Sequence, residues 1–436
     1  MSDLQMRWWA GERLLPDPSL IVPARMRVRA TIDPAAMEAA AQEVAQRHEA
    51  LRTRFDRVDG TPVQIIRRVP DRPLTWFRDL RDVAPAQRGD ALAELLAADR
   101  IRGFELARGP LMRLGVIRCA MRDHILALTM HHIIADGWAT AIFWRELSEA
   151  YDRALKGEEL TPPSKRAAPR LRDWVAARQS ALERGQAARE NQYWTRALRR
   201  VRPLHVPHDL PANRGGLRKP HTRRFAVPRE HVNDLYACSK RFRATPFMIT
   251  MAVFMKLLGR YTGRRDVAVM TLLNRRGGPL TEDLIGCIFN HATIAIVIPP
   301  DATAGSLVKE VRGALLDAYD HQQVDAHRIW RETGFMPGSV DVLFIFDQSP
   351  QERKGVAFGG VRAELYWVAE ENEEERRGPT TPGLKFSLEL IDDRLVGALG
   401  YDANLYSKAF IDTFLCDYIT LLEEIVHDEA LENGRP

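Results

Sequence analysis

The sequence has few cysteines and no long hydrophobic segment. Its four cysteines have no paired spacing, and each lies among apolar residues: Cys119, Cys238, Cys287 and Cys416. Isolated thiols of this kind are typical of a reducing compartment and do not indicate a disulfide framework. The N-terminus has no basic region followed by an apolar run, and no apolar stretch reaches roughly 18 residues. We therefore expect a cytoplasmic protein.

A strong net charge is also absent. The 436 residues include 63 basic and 58 acidic side chains, which give a formal charge of +5 at neutral pH. This small excess does not indicate nucleic-acid binding, but it would favour an acidic protein partner. The densest basic stretch lies between Arg199 and Arg224 and contains no RNA- or DNA-binding motif. It is either a solvated surface or, in its Arg214 to Arg224 part, a contact region for such a partner.

The length and the apolar content suit two domains of about 200 residues each. Hydrophobic residues make up 45% of the chain, which is enough for two sizeable cores. Strand and helix patterns alternate within each half, which predicts an α/β fold. The pattern breaks around Pro162 and Pro163, and a polar helical segment from about Leu171 to Leu198 joins the halves. We predict a boundary near residue 180, with domains 1–180 and 181–436.

Proline marks the start of two predicted helices. Asp33 is a good N-cap for a helix that starts at Pro34 and delivers Arg47 and Arg52. In the second half, Pro246 follows Thr245 and starts a helix that ends between Gly259 and Gly263. The other elements predicted in this half are two strands and a helix: Asp266–Met270, Val340–Phe346 and Ala304–Tyr319.

Seven consecutive residues, His131–Gly137, combine a candidate general base, an acidic side chain and a flexible backbone. The apolar run Ile125–Met130 before them predicts a buried strand, and the spacing of apolar residues in Trp138–Leu155 predicts a helix. Neighbouring side chains of an extended segment point to opposite faces. His131 and His132 therefore cannot both face one cavity, and at most one of them is catalytic.

These residue types suit proton transfer during attack on a carbonyl. A neutral imidazole can accept a proton from an amine or hydroxyl nucleophile, and the backbone N–H of Gly137 could stabilise an oxyanion. On spacing alone, Asp136 could polarise a histidine, bind a metal or pair with a distant arginine. Adjacent strand histidines rarely reach one ion and no zinc motif accompanies them, so we expect no metal. The alternative is that both histidines are ordinary core or turn residues.

Several motifs resemble one known family, in the order in which that family has them. His131–Gly137 resembles the HHxxxDG signature of the condensation domains of nonribosomal peptide synthetases, a branch of the chloramphenicol acetyltransferase-like acyltransferases. Leu4–Trp9 resembles the opening motif of the family, and Arg47–Phe55 matches its RHExLRTxF motif. Ile285–Asn290 is similar to IGxFxN. His321–Asp325 is a looser match to HQxxP because it lacks the proline.

For the architecture, the resemblance implies two chloramphenicol acetyltransferase-like lobes in a V-shaped pseudo-dimer with a central tunnel. It implies that His132 faces the tunnel, that Trp138 and Asn290 are candidates for the tunnel lining, and that a latch lies near residues 368–382. It further implies that Asp136 makes a structural salt bridge to an arginine. The candidate partners are Arg47, Arg52 and Arg275.

For the function, the resemblance implies transfer of an acyl, peptidyl or polyketide chain from a carrier-protein phosphopantetheine thioester to an amine or hydroxyl. The product would be an amide or an ester in natural-product biosynthesis, in some cases with release of the chain. The carrier protein supplies the phosphopantetheine arm, and no tightly bound cofactor is expected. The sequence begins at the first family motif and ends just past the last expected helix. We therefore expect a freestanding enzyme that meets its carrier in trans.

Departures from the family motifs exclude some variants. No DxxxxD replaces the paired histidines, and no EGHGR stretch occurs near Leu280–Ile285, which argues against heterocyclising and epimerising variants. Two alternatives to carrier-dependent transfer remain. One is a coenzyme-A-dependent acyltransferase of the same fold, and the other is a non-catalytic docking module for carrier proteins.

Overall fold

The computed structural model describes residues 1–14, 20–68, 72–158, 168–199, 201–211, 219–333, 340–347, 355–366, 383–391 and 394–427. The chain divides into two compact units. The first contains residues 1–179, 276–288 and 349–370, and the second contains residues 180–275, 289–348 and 371–436. The first unit thus includes two segments that a single division at residue 180 assigns to the second domain, and that division stays a prediction. The latch expected near residues 368–382 lies outside the described residues.

The described chain contains both strands and helices, with several runs of consecutive strands and of consecutive helices. The strands are β1 (Ile21–Val28), β2 (Thr53–Val58), β3 (Thr61–Ile66), β4 (Thr75–Asp79), β5 (Met112–Ala120), β6 (Asp123–His131), β7 (Pro220–Ala226), β8 (Asp266–Leu273), β9 (Asn290–Val297), β10 (Val342–Asp347), β11 (Ala357–Phe358), β12 (Val361–Leu365), β13 (Leu384–Ile391) and β14 (Arg394–Asp402). The α-helices are α1 (Asp3–Leu14), α2 (Pro34–Arg47), α3 (Arg88–Ile101), α4 (Gly137–Leu155), α5 (Leu171–Ala181), α6 (Ala187–Leu198), α7 (Arg229–Phe242), α8 (Pro246–Thr262), α9 (Ala304–Asp320), α10 (Ala326–Thr333) and α11 (Lys408–Val426).

The first unit contains a six-stranded mixed sheet with the order β11-β12-β1-β6-β5-β4. Neighbouring strands are antiparallel except for the parallel pair β4 and β5. Leu126, Leu128 and Met130 of β6 pack in one core with side chains of α2 and α4, and Ile125 and Ala127 pack with side chains of α3 on the other face. Because β6 is buried on both faces, it has the continuous apolar run that predicts it from sequence.

The second unit contains another six-stranded mixed sheet, with the order β7-β14-β13-β10-β8-β9. Strand β10 runs parallel to β8 and β13, and the other neighbours are antiparallel. Helices α8, α9 and α11 supply much of the core that packs on this sheet. Among the described residues, no single helix has the length and apolar character of a membrane span; only α7 and α8 taken together, at a bend of 100°, have both.

Side-chain caps mark the start of several helices. The Asp33 carboxylate accepts hydrogen bonds from the backbone N–H groups of Ala35 and Ala36, so it caps α2 as predicted. The helical segment predicted from Leu171 to Leu198 forms two α-helices, α5 and α6, and Arg184 and Gly185 have non-helical backbone angles between them. The φ of Gly185 is +96°, a conformation that side-chain-bearing residues rarely adopt. The chain therefore bends at the one residue that permits it without strain.

Candidate active site

His131 is the last residue of β6 and serves the packing of the strand end. It is 1% exposed, and its Nδ1 accepts a hydrogen bond from the backbone N–H of Ile133 at 3.0 Å. Its Nε2 lies 3.5 Å from a carboxylate oxygen of Glu12, and its ring lies 6.3 Å from that of Phe104. These contacts differ from those of the next residue, in agreement with the alternation expected along an extended segment.

His132 follows the strand and is half-buried. Its Nδ1 lies 2.7 Å from the carbonyl oxygen of Ala135. Because a carbonyl oxygen only accepts hydrogen bonds, Nδ1 carries the proton and Nε2 carries the lone pair of the neutral ring. The ring also lies 4.9 Å from that of Trp8, and the Cys287 sulfur lies 3.8 Å from Nδ1. The loop itself thus selects the tautomer in which Nε2 is basic.

Burial keeps the His132 ring neutral. It lowers the pKa of His132 to about 4, although the Asp136 carboxylate and the Ala135 carbonyl act in the opposite direction. Removal of the charged ring from water outweighs both interactions. At neutral pH this histidine therefore holds no second proton and can accept one.

Asp136 connects the loop to the start of α4 and to a distant arginine. Its Oδ1 accepts from the backbone N–H of Ala139 at 2.8 Å, which caps the helix. Arg276 Nη2 donates to both carboxylate oxygens, at 2.9 and 3.1 Å, and the backbone N–H of Ile288 donates to Oδ2 at 3.2 Å. The ion pair is buried, with 9% of the Asp136 side chain and 2% of the Arg276 side chain exposed.

The partner of Asp136 is therefore Arg276, and not one of the three arginines proposed from sequence. Arg276 also donates to the carbonyl oxygens of Thr281, Leu284 and Gly286. It thereby holds the whole segment 276–288 against the loop that carries His132. The only sequence signal was the pair Arg275 and Arg276 directly after a strand, and alternation along the chain does not tell which of the two turns toward Asp136.

Arg47 and Arg52 belong to a different group of contacts. Arg47 Nη1 lies 2.8 Å from a carboxylate oxygen of Glu146 on α4, and His48 Nε2 lies 2.8 Å from the same oxygen. Burial opposes ionisation of Glu146, but the His48 hydrogen bond and the Arg47 charge outweigh it and lower the Glu146 pKa. Arg52 Nη1 donates to the carbonyl oxygen of Arg67. The RHExLRTxF segment thus anchors α4 through a carboxylate that sequence analysis missed.

Gly137 and Trp138 are the first two residues of α4, and both are half-buried. The first backbone N–H groups of a helix have no partner within it, and the helix dipole places partial positive charge there. The Arg276 guanidinium lies 5.8 Å from the centre of the Trp138 ring. The start of α4 therefore contributes positive electrostatic potential at the end of the His131–Gly137 loop, where Arg276 lies near the Trp138 ring.

Asn290, the first residue of β9, is held in the second unit. Its amide nitrogen donates to the carbonyl oxygens of Gln322 and Val324, at 3.2 and 2.9 Å, and its oxygen accepts from the backbone N–H of Ala326 at 3.2 Å. Arg275 donates to the same two carbonyl oxygens. Both side chains fix the segment His321–Asp325, and the tunnel-lining position of Asn290 stays a prediction.

Comparison with known proteins decides the family. The profile described as Condensation domain matches residues 1–433. The chain belongs to the condensation domain family. Condensation domains are enzymes that transfer acyl or peptidyl groups and form amides, so the predicted family and enzyme class are confirmed.

Two solved structures and one relative illustrate the similarity. SgcC5 from Streptomyces globisporus is 26% identical, with a TM-score of 0.80 over 94% of this chain and 93% of that chain. The first condensation domain of the calcium-dependent antibiotic synthetase has a TM-score of 0.81 at 20% identity, over 99% and 96% of the two chains. A linear gramicidin synthase protein from Brevibacillus parabrevis is 30% identical across 98% of this condensation domain, which spans only 8% of the length of that protein. The predicted α/β fold with two units is confirmed.

Proposed function

We propose that this condensation domain acts as a freestanding enzyme that transfers an acyl, peptidyl or polyketide chain to an amine or hydroxyl acceptor. The donor is the phosphopantetheine thioester of a carrier protein that is supplied in trans. The observation that carries the proposal is the neutral His132 ring, whose Nδ1 proton is held by the Ala135 carbonyl oxygen at 2.7 Å. A ring fixed in this way presents Nε2 as the base.

The proposed step balances without a cofactor. The acceptor nitrogen or oxygen attacks the thioester carbonyl while His132 Nε2 takes the acceptor proton. The new C–N or C–O bond forms, the C–S bond breaks, and the imidazolium returns the proton to the departing sulfur. A pKa of about 4 makes His132 a weak base, so the acceptor loses its proton only as the new bond forms. Because a thioester is already activated, positioning supplies much of the acceleration.

The N-terminus of α4 suits the oxyanion of this reaction. The tetrahedral intermediate carries negative charge on the former carbonyl oxygen, and backbone N–H groups at a helix start stabilise such charge. We assign this contribution to Gly137, with Trp138 beside it. Asp136 and Arg276 are positioning residues, because their buried ion pair holds the loop and the helix start together.

One relative favours a hydroxyl acceptor. The SgcC5 structure is a complex with (R)-(-)-1-(2-naphthyl)-1,2-ethanediol and sucrose, and SgcC5 is 26% identical to this chain. A vicinal diol offers hydroxyl groups as nucleophiles. Ester formation on a small alcohol is therefore the first reaction to examine, with amide formation on a small amine as the second.

The test is reconstitution with acylated carrier protein. The purified chain is mixed with the acyl carrier and a panel of alcohols and amines, and products are identified by mass spectrometry, with His132→Ala measured in parallel. We expect an ester or amide from the carrier thioester and none from the variant. Transfer from acyl-coenzyme A alone would instead indicate the coenzyme-A-dependent acyltransferase. A natural product still made in the producing cell by the His132→Ala protein would indicate the docking module.

A further inference from the structure

A group of potential metal ligands lies in the second unit, where α7 packs against the end of α11. His231 is near the start of α7, Glu423 is in the last turn of α11, and His427 is the residue that caps α11. One ligand atom from each of the three side chains lies within 4.8 Å of the other two. Two imidazoles and one carboxylate form a donor set that zinc commonly uses.

His231 supplies an independent indication that a ligand belongs here. The side chain is 9% exposed, and its Nδ1 is buried without a hydrogen-bond partner. A buried polar atom that lacks a partner costs free energy, so most such atoms in folded proteins are satisfied. A metal ion bound to Nδ1 of His231 would remove that cost.

Both nitrogens of the His427 imidazole face oxygen atoms, and one of these belongs to a carboxylate. Its Nε2 lies 3.0 Å from a carboxylate oxygen of Asp234, one turn after His231 on α7. Its Nδ1 lies 3.1 Å from the carbonyl oxygen of Glu423. In metal sites a carboxylate typically holds the distal nitrogen of the imidazole and fixes the direction of the other. With Asp234 on Nε2, a metal would bind Nδ1, which would lose its proton and exchange the Glu423 carbonyl oxygen for the ion.

We propose that His231, Glu423 and His427 bind one Zn²⁺, with Asp234 as the carboxylate that orients His427 and water as the fourth ligand. Tetrahedral zinc places its ligand atoms roughly 3.3 Å apart, which is closer than the 4.8 Å spread of the three side chains. The His427 side chain is 52% exposed and Glu423 is also exposed, so both can rotate toward the buried His231. Mg²⁺ and Ca²⁺ prefer oxygen donors and do not fit two imidazoles.

The proposed ion would act as a structural link. It would join the first helical turn of α7 to the last turn of α11, two helices that also meet where Arg241 donates to the carbonyl oxygens of Ile425 and Val426. An ion that binds the folded chain stabilises it in proportion to the logarithm of its concentration. Zinc should therefore raise the melting temperature without being consumed in a reaction.

The experiment uses the full chain, without an affinity tag and treated with a chelator. Zn²⁺ is titrated by calorimetry, and the bound metal is counted by elemental analysis after dialysis. We expect one Zn²⁺ per chain and a melting temperature that rises with Zn²⁺. His231→Ala and His427→Ala should each weaken binding at least 10-fold, and Asp234→Asn should weaken it about 10-fold. Mg²⁺ in place of Zn²⁺ should give no shift.

His205→Ala is the matched control. His205 forms a similar histidine–carboxylate pair with Asp341 in the same unit, at 2.5 Å, and its side chain is 59% exposed. Its removal should leave zinc binding at the wild-type level. Should His231→Ala fail to fold, Glu423→Gln changes an exposed side chain and keeps the test available. Zinc binding that is absent in the wild-type protein, or that is as tight in the variants as in the wild type, overturns the proposal.

Discussion

Two histidine-containing segments, 131–137 and 321–325, are anchored in a similar way but leave their imidazoles in different surroundings. Consecutive arginines hold them: Arg276 binds the Asp136 carboxylate of the first, and Arg275 binds backbone carbonyl oxygens of the second. In the first segment the Asp136 carboxylate and the Arg276 guanidinium neutralise one another. The imidazole of His132 donates through Nδ1 to a backbone carbonyl oxygen, and the Cys287 sulfur lies 3.8 Å from the same nitrogen.

In the second segment a carboxylate lies beside the imidazole itself. His321 Nδ1 lies 3.6 Å from the carboxylate of Glu190, and the ring stacks on Tyr193 at 4.1 Å. His321 thus lies beside a carboxylate, whereas His132 donates through Nδ1 to a backbone carbonyl oxygen and is kept neutral by burial. The partner of the ring, and not the motif alone, therefore distinguishes a candidate base from a packing histidine.

The largest expected effect is a loss of acyl transfer on substitution of His132 but not of His321. His132→Ala should lower acyl transfer by about 10²–10⁴-fold, because general base catalysis typically contributes that much. Its melting temperature should stay close to that of the wild type. His321→Ala is the matched control and should keep transfer within about threefold, a range too small for the loss of a base. Turnover near the wild-type level in a folded His132→Ala protein would show that His132 is not the general base.

The next effect concerns the ion pair that holds the first segment. Asp136→Ala leaves the Arg276 guanidinium buried without its carboxylate, and we expect a loss of about 3–5 kcal/mol in the free energy of unfolding. Asp283→Ala breaks a pair with Arg145 in the same unit, but the Asp283 side chain is 45% exposed. That change should cost less than about 1 kcal/mol. Urea unfolding measures both, and an Asp136→Ala protein that is stable yet inactive would contradict the structural assignment.

The neutral ring of His132 also makes stability depend on pH. Its pKa is about 4 in the folded chain against 6.5 ordinarily, so between these values the unfolded chain binds a proton that the folded chain does not. The free energy of unfolding should be unaffected by this group above pH 6.5 and should fall as the pH drops toward 4. The loss at pH 4.5 is about 2–3 kcal/mol relative to pH 7.

His132→Gln provides the reference for that measurement. Because the other titrating groups are shared, the difference between the pH dependences of the wild type and the variant isolates His132. The wild type should lose more stability than His132→Gln between pH 6.5 and 4.5. Equal slopes for the two proteins would mean that the ring is not held neutral by burial.

The sequence predicts more of the first segment than of its surroundings. Strand β6, helix α4 and the general role of Asp136 in an ion pair follow from an apolar run, helical spacing and a family motif. Arg276 is 140 residues from Asp136 along the chain, and no local pattern distinguishes it from Arg275. The sequence does not predict the group around Glu146 either, because Glu146 is far along the chain from Arg47 and His48. Only the packing of α2 on α4 brings these two residues to Glu146.

A smaller effect tests the second segment by a conservative change. Burial raises the pKa of Glu190, although the backbone N–H of Gln323 donates to its Oε2 at 3.1 Å. Glu190→Gln keeps an oxygen acceptor for that N–H and removes a charge that burial disfavours. We therefore expect a change of less than about 1 kcal/mol in the free energy of unfolding at pH 7. A loss as large as that of Asp136→Ala would show that both segments depend on a buried charge.

The smallest expected effect is a change in the rate of transfer from the carrier after charge reversal at the surface. The same Arg→Glu change can be made in each of the two units. Arg223 on β7 pairs with Asp412 on α11 at 2.7 Å, and Arg29 pairs with Glu364 on β12 at 3.5 Å; all four side chains are at least 36% exposed. Arg214 and Arg218, which belong to the same predicted carrier contact, lie outside the described residues. If an acidic carrier docks near Arg223, Arg223→Glu should slow transfer from the carrier a few-fold at low salt, whereas Arg29→Glu should not.

The salt dependence of the transfer rate distinguishes weaker carrier docking from an altered active site in these two variants. At physiological ionic strength the screening length is about 8 Å, so the difference between Arg223→Glu and the wild type should shrink as salt rises. Turnover of a small thioester mimic, which needs no carrier surface, should be the same in the wild type and in both variants at every salt concentration. Unchanged carrier kinetics in Arg223→Glu would exclude this part of β7 from the docking surface and leave the assignment of His132 intact, because the two depend on different units of the chain.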